Sequence, residues 1–131
     1  CKHGCHDKLV YNLYVNGDSL GFEFGAEGQP RLAGQVSTTA GALDPRQWHA
    51  IIARYDGREL VLFVDGFAAV RTKAAGALRQ GNTEPVLIGK RGFTGLLDHA
   101  ALWQRALTDA EIIALDAQHF GRPGRCGGRG T

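Results

Sequence analysis

The sequence predicts an all-β sandwich with one helix at its C-terminal end, on three observations. Asp-Gly and Asn-Gly pairs separate short runs of alternating apolar residues. The central runs carry large side chains on both faces. A single segment near the end holds a full set of helix-start signals. The central stretch, Gln47–Arg71, contains three runs, Trp48–Tyr55, Glu59–Val64 and Phe67–Arg71, separated by Asp56-Gly57 and Asp65-Gly66. Asp-Gly between such runs predicts a type I′ hairpin turn, because both central residues need positive φ. Two turns in succession give a three-stranded antiparallel meander. Trp48, Ile51, Ile52, Leu60, Leu62, Phe63, Val64 and Phe67 make it apolar on both faces, so it has to be covered on both.

The other elements follow in chain order. Residues 1–8, CKHGCHDK, form a polar segment. Leu9–Val15 and Ser19–Phe24 are strands joined at Asn16-Gly17, and their alternation gives one wet and one buried face. After the turn cluster Gly25–Gly28, Gln29–Ser37 is a further strand, with Pro30 near its start where a missing N–H is tolerated. Thr38–Arg46 is a loop, and the Gly/Ala-rich Lys73–Glu84 is a long surface loop. Pro85–Lys90 reads as a short buried strand. Phe93–Gln104 reads as the last long strand, with Leu96, Asp98, Ala100 and Leu102 on one face and Leu97, His99, Ala101 and Trp103 on the other. The helix starts at Thr108: Thr108 and Glu111 form a capping box, Leu107 and Ile112 a hydrophobic staple, and Gly121 with Pro123 stop it. The domain therefore runs over 9–120, and 121–131 is a Gly/Arg-rich tail.

A chain of 131 residues makes one domain with a single core. Nineteen glycines suit many tight turns, and a net charge of +2 with both signs interspersed gives no reason to expect nucleic acid or a membrane surface as partner. No window approaches the length of a membrane span. All three cysteines, Cys1, Cys5 and Cys126, lie in the polar ends, where bridge or ligand roles fit better than core packing. They lean towards an oxidising, exported setting.

Six signals in order resemble a known family. They are Trp48-His49, Tyr55-Asp56-Gly57, Leu62-Phe63-Val64-Asp65-Gly66, Leu87-Ile88-Gly89, Phe93-Thr94-Gly95-Leu96-Leu97-Asp98, and Arg105–Ile112. Together they resemble the C-terminal half of the laminin G-like, concanavalin A-like lectin/glucanase jelly roll, over roughly Leu9–Leu115. The resemblance implies a non-catalytic recognition or assembly module that binds glycans or extracellular protein partners. Family members usually begin with several more strands, whereas here only the polar 1–8 segment precedes the first. The expectation is a smaller sandwich, incomplete at its N-terminus, or one completed by another chain or a parent segment; open edges would otherwise invite aggregation.

Candidate chemistry is sparse. Glucanases of this fold need paired carboxylates facing the sugar. The acids here scatter over turns (Asp18, Asp44, Asp56, Asp65) and the helix (Asp109, Glu111, Asp116), in no such pair. Asp98 stands out, because a bare charge on a strand face is costly. The resemblance implies a structural calcium ion there, and the alternative is a sheet-edge aspartate bonded to a neighbouring loop. Cys1, Cys5 and His6 form C-x-x-x-C-H, one residue longer than the c-type haem attachment motif. Longer-spaced variants are known, and some exported bacterial proteins join haem c segments to laminin G-like domains. A scaffold segment of a haem redox protein is thus the alternative function. Disulfides among Cys1, Cys5 and Cys126, or zinc held with His6, are the other readings of these residues. Trp48 and Trp103 read as core rather than a sugar platform. Arg54, Arg58, Arg71, Arg79, Lys90 and Arg91 read as solvated loop and edge charges, and His49 and His99 as structural.

Overall fold

The computed structural model describes residues 9–81, 83, 85–89 and 92–120. Six strands and one helix follow one another as β1 (Tyr11–Asn16), β2 (Ser19–Gly25), β3 (Leu32–Ser37), β4 (Ile51–Tyr55), β5 (Glu59–Val64), β6 (Phe67–Lys73) and α1 (Asp109–Phe120). They form two three-stranded antiparallel sheets, β1-β2-β3 and β4-β5-β6. β3 stacks over β5 and β6, and β2 over β5. Between the sheets Leu20, Phe22, Phe24 and Val36 meet Leu60, Leu62 and Val64. The Phe24 ring lies 4.3 Å from that of Tyr55. On the outer face of the second sheet Val61 and Phe63 pack against Leu107 and Ile112, so the central meander is covered on both sides as its sequence requires.

The three expected type I′ turns resolve differently. Asp65 and Gly66 both have positive φ (54° and 84°), as type I′ demands. At the first hairpin Asn16 pairs with Ser19, so the turn is Gly17-Asp18, one residue later than predicted, with positive φ at Gly17 alone. At Asp56-Gly57, three residues (56–58) connect β4 to β5. Asp56 Oδ1 accepts from Arg58 N (2.8 Å) and Glu59 N (2.9 Å), and this side-chain turn replaces the tighter backbone one.

The helix start is as read. Glu111 N donates to Thr108 Oγ1 and Thr108 N to Glu111 Oε1, each at 3.2 Å, with Leu107 and Ile112 buried beside them. Arg105 Nη1 also donates to Glu111 Oε1 at 2.9 Å. The Arg105 guanidinium and the Thr108 N–H hold the Glu111 carboxyl down to about 2.

Two predicted strands are absent. None of the described residues of Pro85–Lys90 or Phe93–Gln104 is in a strand. Both segments have strand-like sequences, but a strand exists only where a neighbour accepts its hydrogen bonds. The edges of both sheets are unextended among the described residues. Strand ends also shift: the first begins at Tyr11, the third at Leu32, the fourth at Ile51, and the sixth runs on to Lys73. Gly121 and Pro123, the predicted helix stop, lie outside the described residues.

Candidate functional site

The two missing strands leave an apolar surface. Val86, Leu87, Ile88, Leu96, Leu97 and Leu102 are exposed, Leu96 by 77%. The tryptophans expected in the core are exposed as well, Trp48 by 55% and Trp103 by 41%. Trp48 falls just before β4, on chain that is not yet strand; Trp103 borders a groove against the helix. That groove, about 240 Å³, is lined by Trp103, Leu107, Glu111, Ala114, Leu115 and Gln118. It is smaller than the roughly 300–1,000 Å³ of small-molecule sites.

Among the described residues the core is also open on one flank. The stacking of β3 over β5 and β6 leaves β1 and β4 on the opposite side. Leu13 and Val15 share the core-facing side of β1 with Tyr11, which packs against the core cluster. They nevertheless remain 39% and 40% exposed. Ile51, Ala53 and Tyr55 on β4 face the same core and are only half-buried.

Polar side chains near these surfaces are engaged in structure. His49 Nδ1 sits 2.7 Å from Asp65 Oδ2, Asp65 Oδ1 accepts from Ala50 N at 3.0 Å, and Asp44 N lies 3.0 Å from His49 Nε2. With Nδ1 donating to the carboxylate, Nε2 is free to accept from Asp44, so the imidazole clamps the β5–β6 turn to the start of β4. Asp44 itself takes the Arg46 guanidinium and N–H, which lower its pKa; the backbone N–H groups of Glu59 and Arg58 lower that of Asp56.

Arg54, read as a solvated edge charge, is in fact largely enclosed. Its side chain is 12% exposed, stacks 4.9 Å from the centre of the Phe63 ring, and donates to Leu107 O at 3.0 Å and to Asp109. Arg79, expected to be a loop charge, donates to Leu9 O at 2.9 Å and to Gln29 O. Asp116, on the helix, is buried and lies against Gly66, where an added Cβ would be 3.4 Å from it. A charge amid an apolar pattern was the available sequence signal for Arg54; none marked Asp116.

Of the predicted metal and haem residues, Asp98 alone lies among the described residues. Asp98 lies on irregular, exposed chain rather than on a strand face, with His99 Nδ1 at 2.9 Å from Oδ2. Among the described residues no three His, Cys, Asp or Glu side chains cluster as a metal site. Calcium takes six to eight oxygens, and Asp98 with a histidine nitrogen does not supply that set. His99, at φ 55°, stacks its ring 4.4 Å from that of His119. Cys1, Cys5, His6 and Cys126, the haem, zinc and disulfide candidates, lie outside the described residues.

No helix among the described residues is long and apolar enough to cross a membrane. No curated protein sequence matches significantly. A crystal structure of an S-layer domain-containing protein (residues 221–444) from Clostridium thermocellum is similar in fold, with a TM-score of 0.51 at 19% identity. The similarity covers 84% of this chain and 57% of that one, so the chain spans little more than half of that structure. A laminin G family model, that of the concanavalin A-like lectin/glucanases superfamily, matches residues 4–113. With two stacked antiparallel sheets, the capped helix behind them and that match over most of its length, the chain belongs to the laminin G-like branch of the concanavalin A-like lectin/glucanase superfamily.

Proposed function

We propose that the chain is a non-catalytic recognition and assembly module of an exported protein, with a protein or glycan partner at a surface or outside the cell. The carrying observation is the exposure of Val86, Leu87, Ile88, Leu96, Leu97, Leu102 and Trp103, because an accumulation of exposed large apolar side chains marks contact sites. The aliphatic residues among them favour a polypeptide partner. The exposed rings of Trp48 and Trp103 favour a glycan as the second reading, since an aromatic face can stack on a sugar ring. The carboxylates of Asp44, Asp56, Asp65 and Glu111 are engaged in turns and the helix cap, which supports a binding rather than a hydrolytic role. The S-layer domain of the similar structure's parent supports a surface setting.

The test is calorimetric titration of the chain with cell-surface polysaccharides and with surface-protein ectodomains, while soluble sugar release is followed. The expected result is saturable binding without sugar release, weakened roughly tenfold by Trp48→Ala or Trp103→Ala. Steady release of reducing sugar would overturn the non-catalytic reading.

A further inference from the structure

We propose that His99 and His119 form a two-histidine site for a divalent ion of the zinc–copper class. Three observations carry it. First, two imidazoles from separate parts of the chain meet. His99 lies on irregular chain ahead of the helix and His119 in the last turn of α1, with ring centroids 4.4 Å apart and planes tilted by 44°. Both side chains are exposed, so the rings are free to open around an ion. Two nitrogens on one zinc ion stand only about 3.4 Å from each other, within reach of rings already in contact. Imidazole nitrogen suits zinc, copper and nickel.

Second, His99 is set as a ligand before any ion arrives. Its Nδ1 lies 2.9 Å from Asp98 Oδ2, so with Nδ1–H donating to the carboxylate the free lone pair is on Nε2. A metal-binding histidine almost always gives its other N–H to such a partner, which fixes the tautomer and raises the ligand's basicity. Asp98 therefore orients a ligand rather than being one, and the donors are nitrogens, unlike those of a calcium site. His99 also holds φ at 55°, a sparsely populated backbone of the kind that clusters at functional positions. Third, His119 stands at the C-terminal end of α1, where the negative end of the helix dipole favours a cation. Among the described residues no group of three ligating side chains exists, so water fills the remaining positions and the ion exchanges readily. Its effect would be to tie the exposed chain that carries Leu96, Leu97 and Trp103 to the helix.

The inference is independent of the reading above, since it needs no macromolecular partner. Zinc chloride is titrated into the full, reduced chain, and each histidine is followed through its own imidazole proton–nitrogen signals. Site resolution matters because the cysteines and histidines near the chain's ends are ligands in their own right. The His99 and His119 signals should move together along one saturation curve. Those of His49, whose two nitrogens are taken by Asp65 and Asp44, should stay in place. His99→Gln should abolish the response of His119, and His119→Gln that of His99. Asp98→Asn should weaken zinc binding about tenfold. Calcium should move neither signal. Should His99→Gln disturb the fold, Asp98→Asn, which leaves both rings in place, decides. The proposal is overturned if His119 responds as before in His99→Gln, if calcium displaces zinc from the pair, or if neither signal moves at millimolar zinc. A response that sets in only as the chain dimerises would place the ion between two copies and would overturn it as well.

Discussion

At the scale of single residues, two side-chain contacts decide how the sheets close. Gly34 on β3 sits over the Phe24 ring, and a Cβ there would lie 2.5 Å from it, with Ala74 and Leu60 close behind. Gly34→Val should therefore cost about 1–3 kcal/mol, as overpacking of a filled core does, read as a lower urea midpoint at unchanged slope. His49 is the second. Replacing it with alanine leaves Asp65 without its imidazole partner and should cost about 1–3 kcal/mol, with Trp48 fluorescence reporting a loosened start of β4. The tryptophans show what the sequence could not supply. An aromatic in an apolar run reads as core, but burial depends on what lies across from it, and nothing described covers Trp48 or Trp103.

At the scale of elements, the hairpins and the helix were legible because their signals are local. Thr108, Glu111, Leu107 and Ile112 specify the helix start by contacts within five residues, and all four behave as read. Thr108→Ala should lower stability by about 1 kcal/mol in thermal denaturation. The same cap gives a pH dependence. The folded Glu111 carboxyl lies at about 2, below its ordinary 4.5, so the charged form is the one favoured by folding. Its contribution is fully present above about pH 4.5 and is lost as pH falls through about 2. Asp44 and Asp56 are lowered in the same sense, so acid titration of helical circular dichroism should show stability falling below about pH 4.5, with Glu111→Gln flattening that fall.

The predicted strands at Pro85–Lys90 and Phe93–Gln104 failed for a non-local reason. Alternation states which faces a strand would present, but it does not place a segment against a sheet edge, and among the described residues neither segment pairs with one. Limited chymotrypsin digestion should accordingly cut first at Leu96, Leu97 or Trp103, well before the core strands, since exposed irregular chain is cleaved from the native state.

At the scale of the whole molecule, the described residues form a laminin G-like sandwich whose core is closed on one side and open on the other. The family was legible from six ordered signals, because turn chemistry and capping recur where the fold needs them. The open flank of the described residues had no local signal in the sequence, and its position became clear from which strands stack on which. Residue-resolved amide exchange of the chain alone tests this most directly. Leu60, Val61 and Leu62, in the central strand β5, should exchange slowest. Residues 93–103 and the outward amides of Ile51, Ala53 and Tyr55 should exchange faster by roughly a thousandfold or more. Protection of residues 93–103 equal to that of β5 would show them to be a paired strand and would contradict the open sandwich.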